Sequence, residues 1–70
     1  MKVRYDKKAL RRLREQRGLD LKALAAKIGT TKQNAWMLDA GHQEPRASTL
    51  AKMAGALDAP VGEFFKVERA

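Results

Sequence analysis

The first 17 residues hold Lys2, Arg4, Lys7, Lys8, Arg11, Arg12, Arg14 and Arg17 against only Asp6 and Glu15. That is an excess of six charges out of the net +7 carried by the 70-residue chain. Ammonium and guanidinium groups at this density suit one kind of chemistry, the neutralisation of a polyanion, with nucleic acid ahead of an anionic membrane surface. The same cluster also reads as a solvated helix face that keeps a small protein soluble. Other chemistries lack their parts. There is no Cys, which removes disulfides, thiolate metal sites and thiol catalysis. His42 is the only His and cannot build a metal site alone; it reads as an ordinary loop residue. Ser48 is the only Ser, so hydrolytic triads have few candidates. The composition implies a binding module without a cofactor, not an enzyme.

Short helices must position these groups. Asp6 is set to cap a first helix that runs to about Arg17 and stops at Gly18, with Ala9, Leu10 and Leu13 inward. Asp20 caps a second, whose Leu21, Leu24, Ala25 and Ile28 recur at i, i+3, i+4 and i+7 before Gly29. Thr31 caps a third, from Lys32 to about Ala40, with Ala35 and Leu38 inward. Pro45 keeps His42 to Arg46 a loop. A fourth helix opens near Ser48, with Leu50, Met53, Ala54 and Leu57 as its stripe. Beyond Asp58-Ala59-Pro60 a last turn carries Val61, Phe64 and Phe65, of which one Phe is left exposed and available to a dimer. No strand is expected from alternation anywhere along the chain. The expected fold class is all-α with five helices, in a single domain over residues 1–70 with a short flexible end after residue 66.

Neither a secretory leader nor a membrane span is expected. Met1-Lys2-Val3-Arg4 is charged, and the longest apolar runs, Ala23 to Ala26 and Ala35 to Leu38, fall far short of the about 20 residues that cross a bilayer. The expected location is the cytoplasm.

The second and third helices are joined by Gly29-Thr30-Thr31 alone. So short a link makes the helices cross steeply, as in a helix-turn-helix spanning about residues 21–40. Steep crossing brings backbones together, and Ala25 supplies the small residue one turn before the bend. Leu24, Ile28 and Leu38 then fill the wedge.

Residues Leu10 to Phe65 resemble the Cro/cI (Xre-type) helix-turn-helix family. The resemblance lies in Leu10 to Leu19, in Ala23 to Gln33, in Leu38-Asp39-Ala40-Gly41, in Pro45, in Leu50 to Ala54 with Ala56-Leu57, and in Glu63-Phe64-Phe65. It implies a five-helix, lambda-repressor-like domain whose third helix enters the DNA major groove. The implied base contacts are Lys32, Gln33, Asn34 and Met37, with Trp36 beside Gln33 on the same helix. Gln pairs with adenine N6/N7 and Lys donates to guanine O6/N7. The implied phosphate contacts are Arg11, Arg12, Lys22, Thr31, Arg46 and Ser48. Arg14 and Asp39 occupy the positions of a structural ion pair.

Three departures stand out. Leu21 replaces the Gln with which relatives touch a phosphate, leaving Lys22 to compensate. Ala35 is smaller than the usual β-branched filler. Trp36 has three open readings: partial burial against helix two, a DNA contact, or a contact with a partner protein. The resemblance implies a sequence-specific regulator of transcription, a repressor binding an inverted repeat as a homodimer. The alternative is a protein-interaction module, such as the antitoxin of a toxin–antitoxin pair. An RNA-binding reading is weaker, because four scattered aromatics make no stacking platform.

Overall fold

The computed structural model describes residues 1–69. The chain runs β1 (Lys2–Tyr5), α1 (Ala9–Gln16), α2 (Leu21–Ile28), α3 (Lys32–Asp39), α4 (Ala47–Ala56), a 3-10 turn (Val61–Phe64) and β2 (Phe65–Glu68). The expectation of five helices and an all-α fold is therefore corrected: four α-helices pack beside a two-stranded antiparallel sheet. Within the end expected to be flexible after residue 66, Val67 and Glu68 pair with Val3 and Lys2, next to Lys66 with Arg4.

The pairing follows from the residues. Lys2-Val3-Arg4-Tyr5 and Phe65-Lys66-Val67-Glu68 each alternate polar and apolar, and the register sets Val3 opposite Val67 and Tyr5 opposite Phe65. All four side chains share one face, leaving charged residues on the other. Tyr5 and Phe65 meet edge to face, with ring centroids 6.1 Å apart. Asp6 N–H donates to the Phe64 carbonyl at 2.7 Å and closes the ribbon onto the helices.

Helix ends follow local chemistry. Asp6 does not cap α1, whose N-cap is Lys8. Instead its carboxylate accepts from Lys8 N–H at 3.0 Å, and its carbonyl accepts from Ala9 N–H at 3.1 Å, which fixes the approach to the helix. The Asp20 carboxylate caps α2 by accepting from Ala23 N–H at 2.7 Å. Gly29 ends α2 at φ 75°, a left-handed conformation that a Cβ would strain.

One core lies between the helices. Leu10, Leu24, Leu38, Met53, Leu57 and Phe64 are its largest fully enclosed side chains. Ala9, Leu13, Ala25, Ile28, Ala35 and Ala54 are also buried, whereas Leu50 only packs against its margin. Phe64 points in and Phe65 stays partly exposed. Tyr5 ties the ribbon to the core, and burial, with the nearby charges of Asp6 and Glu44, pushes its phenol up to about 12.

Candidate nucleic-acid interface

The α2–α3 corner is built from its hydrogen bonds outward. The Ala25 carbonyl accepts from both Gly29 N–H and Thr30 N–H at 2.9 Å, which turns the chain at once. Thr31 Oγ1 then caps α3 by accepting from Asn34 N–H at 3.0 Å. Ala35 and Leu38 are fully buried, so helical spacing turns Lys32, Gln33 and Trp36 outward, and all three are exposed. Asn34 and Met37 are half-buried at the edge of that face.

Asp39 holds the far end of α3. It is the one buried charged residue among those described, 2% exposed. Arg14 donates from Nε to Asp39 Oδ1 at 2.8 Å and from Nη2 to Oδ2 at 3.2 Å. Arg11 donates from Nε to Asp39 Oδ2 at 2.9 Å. Burial alone would raise the Asp39 carboxyl, but the two guanidinium groups outweigh it and hold the carboxyl below its ordinary value. The hydrogen bond to Asp39 likewise raises Arg14 above the ordinary guanidinium value. Arg14 Nη1 also donates to the Leu19 carbonyl at 2.8 Å, so one side chain fastens α1, the α1–α2 loop and α3.

The residues expected at phosphates are not all alike. Lys22 and Lys32 line one hollow with Arg14, Asp20 and Leu21, which brings the two ammonium groups to the same flank of α3. Arg46 and Ser48 line another with Asn34 and Gln43, where the start of α4 faces α3. Arg11 is committed to Asp39, though half of its side chain remains exposed. Arg12 is paired with Asp6 at 3.5 Å, toward the ribbon. The Thr31 hydroxyl is occupied as the helix cap.

Three features escape a reading of the sequence. Asn34 donates from Nδ2 to Thr30 Oγ1 at 2.8 Å and accepts from Gln43 Nε2 at 2.8 Å, so its amide bridges the turn and the α3–α4 loop. The i to i+4 spacing of Thr30 and Asn34 carries the first contact; nothing local carries the second. Trp36 rests against the His42 ring at 5.2 Å between centroids, tilted 45°. Arg17 donates from Nε to the Leu57 carbonyl at 2.9 Å, which spends one of the front cations on tying α1 to the end of α4.

Two helices meeting across a three-residue turn, with the second capped, clamped from behind and polar at its outward start, form a helix-turn-helix. A family model described as helix-turn-helix, of the Cro/C1 type, matches residues 10–64, and the chain belongs to that family of DNA-binding transcription regulators. A comparison with curated proteins gives no match. Among the described residues, no helix is long and apolar enough to cross a membrane.

Proposed function

We propose that this protein binds specific double-stranded DNA sequences as a homodimer on an inverted repeat and represses transcription by occluding the promoter. One observation carries the reading: the start of α3 is polar, exposed and rigidly backed, with Lys32 and Gln33 outward while Ala35 and Leu38 fill the core. A helix presented this way fits the major groove, where Gln33 reads adenine and Lys32 guanine. Trp36 and Met37 supply apolar contact with thymine methyl groups. Asn34, engaged at both ends of its amide, braces the turn and the loop as well as bordering the bases.

Lys22, Arg46 and Ser48 flank this face and take phosphates on either side. Thr31 lies at the same helix start, and the exposed guanidinium nitrogens of Arg11 and Arg12 extend the basic flank along α1. Phosphate contacts supply affinity and register, and the base-facing residues supply sequence preference.

Selection of bound duplexes from a random pool tests the reading. The expected winner is palindromic, with half-sites about 34–36 Å apart, one helical turn. Recovery of duplexes without a shared sequence would refute it.

A further inference from the structure

Residues 41–45 carry no assigned DNA contact, yet they are fastened to α3. Gly41 takes φ 79° and sits so close to α1 that a Cβ there would lie 3.0 Å from the Lys7 Cβ. The chain reverses at this point. Gly41 N–H donates to the Leu38 carbonyl at 3.2 Å, and His42 N–H donates to the Met37 carbonyl at 3.0 Å. The His42 ring then lies against the exposed Trp36, and Gln43 reaches Asn34. Residues 42 and 43 therefore extend the outward surface that α3 presents.

The amides can be followed group by group. Asn34 is half-buried, with Nδ2 donating to Thr30 Oγ1 and Oδ1 accepting from Gln43 Nε2, each at 2.8 Å. Both ends of its amide face protein. Gln43 is exposed and gives Asn34 one of its two N–H groups. Among the described residues, no other hydrogen bond takes up the Gln43 amide. One N–H and the whole carbonyl oxygen remain, on a side chain already held in place before any ligand arrives. Holding it in advance lowers the ordering cost of a contact.

A donor beside an acceptor on one planar amide matches the N7 acceptor and N6 donor of adenine in the major groove. It matches a phosphate poorly, because phosphate oxygens only accept and would face the Gln43 oxygen. Arg46 and Ser48, which line the same hollow, already supply donors for a phosphate there.

From this chain of hydrogen bonds we infer that Gln43 reads an adenine next to the bases met by α3, and that Asn34 is its positioning residue. Thr30 Oγ1 anchors the far end. The inference rests on the reading that α3 enters the major groove, and adds a specificity-determining residue from outside that helix.

Fluorescence anisotropy of the whole chain tests it, on a panel of duplexes in which each base pair of the selected half-site is replaced in turn, at fixed salt. Gln43→Ala lowers the preference for adenine at one position about five- to 150-fold and leaves the preference at the Gln33 position unchanged. Gln43→Glu moves the preference at that same position toward cytosine, whose N4 group donates to a carboxylate. The relay survives this change in reverse: Asn34 Nδ2 donates to the new carboxylate, and the Thr30 hydroxyl donates to Asn34 Oδ1. Asn34→Ala weakens the adenine preference at the Gln43 position, and adding it to Gln43→Ala causes no further loss there.

Equal weakening of all duplexes by Gln43→Ala would make Gln43 a phosphate contact and overturn the inference, as would no change on any duplex. Loss in Asn34→Ala at a position that Gln43→Ala leaves alone would make Asn34 a reader in its own right and overturn its positioning role. A Gln43→Glu variant that keeps the adenine preference overturns the base assignment. In each of these cases the wild type still discriminates among duplexes and the reading of α3 stands. A wild type that prefers no duplex overturns both.

Discussion

Asp39→Asn removes the charge on which the back of α3 depends while keeping the shape of the side chain. The wild-type carboxylate receives three charge-assisted hydrogen bonds, at 2.8, 2.9 and 3.2 Å, in a site 2% exposed. Breaking a buried pair by neutralising one partner costs about 3–5 kcal/mol. Two corrections lower that figure. Arg11 is half exposed and recovers water, and the Asn oxygen still accepts one hydrogen bond. About 2–4 kcal/mol remains, against the roughly 4–10 kcal/mol that a chain of this length has in total. In a domain this small the midpoint of thermal unfolding falls by roughly 10–30 °C.

The pH dependence has a definite sign. The folded carboxyl lies below its ordinary value of 3.8, so the unfolded chain binds the proton first. Stability from this group is complete above the ordinary value and is lost as pH falls through the depressed one. The variant lacks that loss, and its stability curve is flatter over the same acid range. Urea and thermal unfolding of both proteins from neutral pH down to about pH 2 measure it. A loss under about 0.5 kcal/mol at neutral pH, or parallel curves in acid, would show that the clamp does not hold α3.

Three further outcomes are expected. Arg14→Ala destabilises by more than Arg11→Ala, because Arg14 is more enclosed and also holds the Leu19 carbonyl; the reverse order in urea unfolding would misplace the clamp. Gln33→Ala costs about 1–3 kcal/mol at one base position and leaves binding to unrelated duplexes unchanged; a uniform loss on all sequences would remove its reading role. Arg12→Ala weakens binding to every duplex alike and lowers the log–log salt slope by about 0.9, and a change of sequence preference would contradict the phosphate assignment.

The parts of the fold written in neighbouring residues are legible in the sequence. The Asp20 and Thr31 caps, the Gly29 bend and the inward Leu24, Ala25, Ile28, Ala35 and Leu38 each depend on spacing within one or two turns. The ribbon depends on residues 60 to 66 positions apart, and a four-residue alternation at either end of a chain has too little pattern to announce a strand alone. Arg14 opposite Asp39 comes from the family resemblance; the second guanidinium, from Arg11, requires knowing how α1 crosses α3. Gln43 reaches Asn34 only because the α3–α4 loop folds back, and Trp36 finds His42 for the same reason.

Amide chemical shifts of the whole protein, followed as a selected duplex is added at low salt, bear most directly on the central claim that the outward start of α3 enters the groove. The account predicts that the largest changes fall on Thr31 to Met37, with smaller ones at Lys22 and at Arg46 to Ser48. Changes confined to other surfaces, or a spectrum that ignores the duplex, would contradict it.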